Sequence, residues 1–282
     1  LYRAAGGLSG DYALMWQSLT TDQARRRMVF AALAASVLAM FVVFGWNGYS
    51  SRAQGRARPC EVMRFEDANF TVCTFDSRLD DLRLVWTGKD GAALRRFDAL
   101  ADDLGKDAER VRFAMNAGMF NDEGAPIGLY IENGKERHAI NTADGPGNFH
   151  MKPNGIFSLD ADGSVHVDMT GPYLARNPSP LWATQSGPML VMGGTLHPEI
   201  QEDGSSRYVR NGVGRFDDHT AYFAISSSPV SFGKFARLFR DKLKCADALF
   251  FDGSVSSLWA PALKREDDGH EIGPIVLVSA RP

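Results

Sequence analysis

Residues 155–168 read GIFSLDADGSVHVD. Ile156, Phe157 and Leu159 make one apolar run, and Val165 and Val167 make a second. Between them Asp160-Ala161-Asp162-Gly163 is built of residues that turn a chain, because Asp bonds its own backbone and Gly accepts positive φ. The stretch predicts two antiparallel strands, 155–159 and 165–168, joined by a hairpin. Just upstream, residues 128–140 read GLYIENGKERHAI. Here Asn133-Gly134 is a strong hairpin turn between strands at 128–131 and 137–140.

Working outward from these hairpins, branched and aromatic residues predict further strands at 70–76, 82–86, 111–115, 189–192, 221–225, 248–251 and 275–278. Leu94, Phe97, Leu100, Ala101 and Leu104 recur at helical spacing, and Gly105 stops that helix. Phe232, Phe235, Ala236, Phe239 and Leu243 make the apolar stripe of a second helix, with Ser231 as its N-cap. Stretches 142–152, 170–180, 193–206 and 261–273 read as irregular. No internal repeat and no Pro-, Gly- or Ser-rich linker divides the body. The expectation is a single α+β domain over 59–282, with a central, mainly antiparallel sheet, a few helices and a site built from loops.

The chain has 282 residues, of which 44% are apolar and 23% charged, enough to bury a core and too apolar for disorder. Net charge is −3. Arg3, Arg25, Arg26 and Arg27 fall in the first fifty residues, so the remainder is the more acidic part and carries no basic stripe. That excludes nucleic acid as the main partner.

Residues 28–46, MVFAALAASVLAMFVVFGW, are uncharged and follow three arginines directly. This predicts a signal peptide or an N-terminal membrane anchor. Residues 1–27 form its leader, with Met15 an alternative start, and 47–58 form a linker in which Ser51 and Ala53 occupy the positions a signal peptidase reads. Either outcome places the body in the periplasm or anchored to the outer face of the cytoplasmic membrane. In that oxidising compartment Cys60 and Cys73, on two strand-like segments around Glu66-Asp67-Ala68-Asn69, suit a disulfide. Cys245 reads as a buried free thiol.

The sequence has no G-x-S-x-G elbow, no Walker A loop and no zinc-protease motif. Its six histidines, His138, His150, His166, His197, His219 and His270, share no ligand spacing, so neither a metal nor a cofactor is expected. Instead, five polar, glycine-bearing clusters stand at strand ends: 116–120, 152–155, 185–188, 210–214 and 252–257. Each alone is a turn. Together, holding Asn, Lys, Gln, Arg, Asp and Ser, they predict a convergent polar site whose glycines let a ligand approach the backbone.

NAGMF (116–120), GLYIENG (128–134), KPNGIF (152–157), TQSGPMLV (184–191), RNGVG (210–214), SFGKFA (231–236), ALFFDGSVSSL (248–258) and GPIVLV (273–278) follow one another in an order that resembles the phosphodiester glycosidase family. The resemblance spans about 60–278 and is strongest to the short, exported bacterial branch. It implies hydrolysis of a glycosyl phosphodiester in the cell envelope. Ser254 departs from the glycine-rich run of the lysosomal members, which bears on the sugar and not on the fold.

Such a reaction needs a carboxylate near the anomeric carbon, to stabilise oxocarbenium-like charge or orient water. Asp252 is the candidate. It also needs a fork of donors on the phosphate, for which Arg210 is the candidate. Lys152 is a second cation. Asn116, Gly118, Asn154, Gln185, Ser186, Asn211, Gly253, Ser254 and Ser256 are candidates for binding substrate, as is Ser257. Glu123 and Glu132 rank below Asp252 as further carboxylates. Retention and inversion both stay open. A non-catalytic binder of anionic envelope glycan or exopolysaccharide is the alternative function. The partners are then a carbohydrate or glycosyl phosphodiester and, if 28–46 stays attached, the membrane.

Overall fold

A computed structural model describes residues 59–281. The expected leader, signal or anchor, and linker lie outside the described residues. Among the described residues no helix is long and apolar enough to cross a membrane.

The chain is a mixed, mainly antiparallel α+β domain whose strands distribute over three sheets. Seven strands form the first, in the spatial order Cys60–Phe65, Ala68–Asp76, Thr220–Ser226, Asn211–Arg215, Asp247–Phe250, Met189–Met192, Thr195–Leu196. The second runs Arg265–Glu266, Leu258–Ala260, Val111–Asn116, Ile275–Ala280, Asp80–Val85. The third runs Lys135–His138, Tyr130–Glu132, Trp182–Ser186, Gly155–Leu159, Val165–Met169. Both predicted hairpins form, with Leu159 opposite Val165 and Glu132 opposite Lys135.

The sheets meet over one apolar core. Phe223 of the first lies 5.4 Å from Phe113 of the second and 5.5 Å from Phe157 of the third, between ring centroids. A second cluster, Phe70, Phe235, Phe239 and Phe250, fills the space beneath the helix Phe232–Arg237. Ser231 caps that helix as predicted, accepting from Lys234 N. The helix continues as a π turn, Leu238–Lys242. Cys60 and Cys73 sit opposite each other in register and form the disulfide, and Cys245 is free and buried.

Several segments differ from expectation. Trp182–Ser186 and Asn211–Arg215 are strands, although their polar and glycine content reads as turn. Gly212 belongs in a strand because a Cβ there would stand 2.5 Å from the Leu249 carbonyl oxygen. Thr170–Arg176, read as irregular, is a short helix closed by Asn177 in the left-handed region. The first helix starts at Phe97, not Leu94.

Candidate active site

The five clusters do come to one end of the sheets, and backbone contacts bind them there. Asp252 N donates to Ala117 O (3.1 Å), Phe251 N to Asn211 O (3.0 Å), Phe250 N to Pro188 O (3.1 Å) and Met189 N to Pro153 O (2.9 Å). A Cβ on Gly118 would stand 2.3 Å from the Gln185 carbonyl oxygen, so this loop crosses the strand end at a distance only glycine allows.

Beneath the 252–257 loop lies a buried polar knot. Asn211 Nδ2 donates to Asn116 Oδ1 and O, both at 2.9 Å. Asn116 Nδ2 donates to Asp252 O (2.8 Å), and its Oδ1 accepts from Ser257 N (2.8 Å). Ser256 Oγ donates to Val209 O (3.0 Å) and lies 3.1 Å from Asn211 Oδ1. These side chains, expected on substrate, are committed to the protein. They fix Asp252 at the strand end, which a buried network does well because each unmade bond would be costly.

Gln185 and Asn154 are committed likewise. Gln185 Oε1 accepts from Leu129 N and Asn141 N, each 2.9 Å, and its Nε2 donates to Asn141 O at 2.8 Å. Asn154 Oδ1 accepts from Thr170 Oγ1 (2.7 Å). Ser186 Oγ is buried with no partner among the described residues. Lys152 lines a pocket with Thr142, Asn154, Thr170 and Leu174, and pairs with exposed Asp144 at 2.5 Å. Glu132 accepts from Tyr130 Oη (2.8 Å) and Trp86 N (3.3 Å), and Glu123 is exposed on a turn.

Asp252 and Arg210 are different in kind. The Asp252 carboxylate accepts from Ser254, whose N lies at 3.1 Å and whose side chain also reaches it, and no cation pairs with it among the described residues. Burial pushes its carboxyl above the ordinary aspartate range, with the Ser254 bond pulling the other way. Gly253 beside it packs on the tip of Phe250, where a Cβ would stand 2.3 Å from Cζ.

Arg210 is 1% exposed. Its guanidinium lies 3.5 Å over the Phe232 ring and 5.5 Å from Phe250. Nε donates to Val230 O (3.0 Å), and Nη2 to Ser206 O and Oγ (3.2 Å each). No carboxylate pairs with it among the described residues, and burial lowers it to about 10. Phe250 thus packs against Arg210 and, at its tip, against Gly253, the neighbour of Asp252. Sequence reasoning missed Ser206, Phe232, Asn141 and Thr170, which set the surroundings of Arg210, Gln185 and Asn154. Only the Phe232 position carried a signal, as a helix-stripe residue.

A sequence model of the phosphodiester glycosidase family matches residues 109–277, spanning every one of the five clusters. A protein of Escherichia coli strain K12, known as uncharacterized protein YigE, is 34% identical over 188 residues, covering 66% of this chain and 72% of that one. Among solved structures, the zebrafish N-acetylglucosamine-1-phosphodiester alpha-N-acetylglucosaminidase catalytic domain, auto-inhibited by its pro-peptide, matches with a TM-score of 0.55. It is 13% identical, over 79% of this chain and 82% of that one, a likeness of fold.

Proposed function

The chain belongs to the phosphodiester glycosidase family, and from that membership we propose that it hydrolyses a glycosyl phosphodiester in the cell envelope, with Asp252 at the anomeric centre and Arg210 on the phosphate. The observation that carries this reading is the pair itself: Arg210 packs on the Phe250 ring, Gly253 beside Asp252 packs on its tip, and neither charged group has a counter-charge among the described residues.

The chemistry follows from their electrostatics. The anomeric carbon–oxygen bond to phosphate breaks with its electron pair on the phosphate oxygen, leaving a phosphomonoester. Water supplies the new bond to the sugar. Asp252 stabilises positive charge growing on the ring or takes the water proton, and its raised pKa makes it the better base once ionised. Arg210 is poor in counter-charge, so a phosphate that displaces Ser206 from Nη2 gains a charge-assisted contact at low dielectric. The disulfide suits an oxidising compartment, reached through residues 28–46.

The test incubates the full-length chain with a panel of sugar-1-phosphodiesters and follows released sugar and phosphomonoester. Release that requires Asp252 supports the reading. Tight binding with no release from any diester would favour a glycan binder instead.

A further inference from the structure

A phosphodiester has two alcohols. If Asp252 faces the sugar, the second alcohol must leave Arg210 in another direction. A cleft of about 170 Å³ opens there, lined by Met151, Glu199, Ile200, Gln201, Ser206 and Phe232, among others. Two of these touch the guanidinium: Ser206 by hydrogen bonds to Nη2, and Phe232 under its flat face. Phe250 stands 4.7 Å from Phe232 on the other side, and Gly253 packs on that same ring. Gly253 with Asp252, then Phe250 with Arg210, then the cleft, therefore follow one another in space.

The lining has a chemical character. Glu199 is exposed and its carboxylate makes no ion pair among the described residues. Its backbone is held, since Glu199 N donates to Nδ1 of buried His197 (3.2 Å). Nearby Asp203 is engaged, 3.6 Å from Arg237, whose Nη1 donates to the backbone carbonyl of Glu202 (2.8 Å). Gln201, Ser205 and Ser206 add hydrogen-bonding groups around a floor of Met151, Ile200 and Phe232. The cleft is roomy enough for a small alcohol of a few heavy atoms.

We propose that this cleft is the subsite for the leaving alcohol, and that it selects a small polar alcohol bearing a cationic group, an amino alcohol, through Glu199. The assignment rests on Arg210 holding the phosphate. Glu199 discriminates by charge, and Ser206 moves aside to admit the phosphate.

The product phosphomonoester reports the subsite without knowledge of the sugar. Calorimetric titration of the full-length chain would use phosphoethanolamine, glycerol 3-phosphate, propyl phosphate and inorganic phosphate. Phosphoethanolamine is expected to bind about two- to five-fold more tightly than propyl phosphate, the worth of an exposed charge pair. Glu199→Gln should erase that preference and leave propyl phosphate unchanged, and Arg210→Ala should weaken all four. Equal binding of the three esters, a preference that survives Glu199→Gln, or no binding of any ester would overturn the subsite. Failure of the hydrolytic reading shows separately: the ester preference persists while no sugar-1-phosphodiester releases sugar.

Discussion

The two ends of the sheets treat charge in opposite ways. At the end away from the site, charges are neutralised in place. Asp76 takes Arg78 through both oxygens at 2.7 and 2.8 Å, and Arg215 meets Asp218 at 3.0 Å. The Arg78 hydrogen bond holds the Asp76 carboxyl below its ordinary range. At the site end, Asp252 is pushed up and Arg210 down, both by burial and neither by an opposing charge. One end uses its charges to hold turns together. The other, where Lys152 still pairs with Asp144, keeps two charges under-solvated, which costs stability and reserves their interaction energy for a ligand.

The largest effect should come from the site carboxylate. Asp252→Asn keeps the shape and removes the charge, so turnover of a cleaved diester should fall on the order of 10²- to 10⁴-fold. Steady-state rates against an unchanged ligand-binding curve check this, and near-wild-type turnover would remove Asp252 from the reacting centre.

Arg210→Ala should cost about 2–5 kcal/mol in kcat/KM, as expected when a desolvated charge-assisted contact is lost. Arg210→Lys should recover only part, because an ammonium has no planar fork and stacks poorly on Phe232. At the opposite end Arg78→Ala should leave kcat/KM unchanged. A fall there equal to that of Arg210→Ala would break the contrast between the ends.

The pH dependence separates the ends by sign. An aspartate raised in the folded state stabilises the fold below the ordinary aspartate pKa. That contribution is lost as pH rises from the ordinary value to the folded one. Asp252→Asn should therefore raise Tm at neutral pH while it abolishes turnover. Asp76, lowered in the fold, contributes stability above the ordinary range that disappears as pH falls through its folded pKa, so Asp76→Asn should lower Tm at neutral pH. Thermal melts of both variants across the acid range read the two signs, and equal signs would refute the assignment. The acid limb of the activity profile should likewise sit above the ordinary aspartate value.

Reduction of Cys60–Cys73, which lies between the two ends, sharpens the contrast by leaving it intact. Opening a bridge of sequence separation 13 should cost about 3 kcal/mol of stability and lower Tm. The position of the acid limb should not move, which activity measured with and without reductant checks.

Much of the fold was legible in local pattern. Apolar runs broken by Asp-Ala-Asp-Gly and Asn-Gly specify hairpins, because two-residue periodicity and turn chemistry act over a few neighbours. The cysteine pair was legible for the same reason, lying across one tight turn. Asn211–Arg215 was not, because its glycines are explained by the Leu249 carbonyl and the Phe239 ring, groups distant in sequence. Thr170–Arg176 was not, because Thr170 Oγ1 and Asn154 anchor its start across 16 residues.

The sequence by itself pointed to polar, glycine-bearing strand ends gathering together, and made Asp252 and Arg210 the candidates for the charge of a site there. Tertiary structure decided which of those groups stay free. Asn116 is spent on partners 95 and 136 residues away, and Gln185 on one 56 residues away. Half-buried Asp252 and buried Arg210 are left without a counter-charge among the described residues. The physical reason is that a residue's type fixes which bonds it is able to make, whereas only the closed fold fixes which partners are already there to take them.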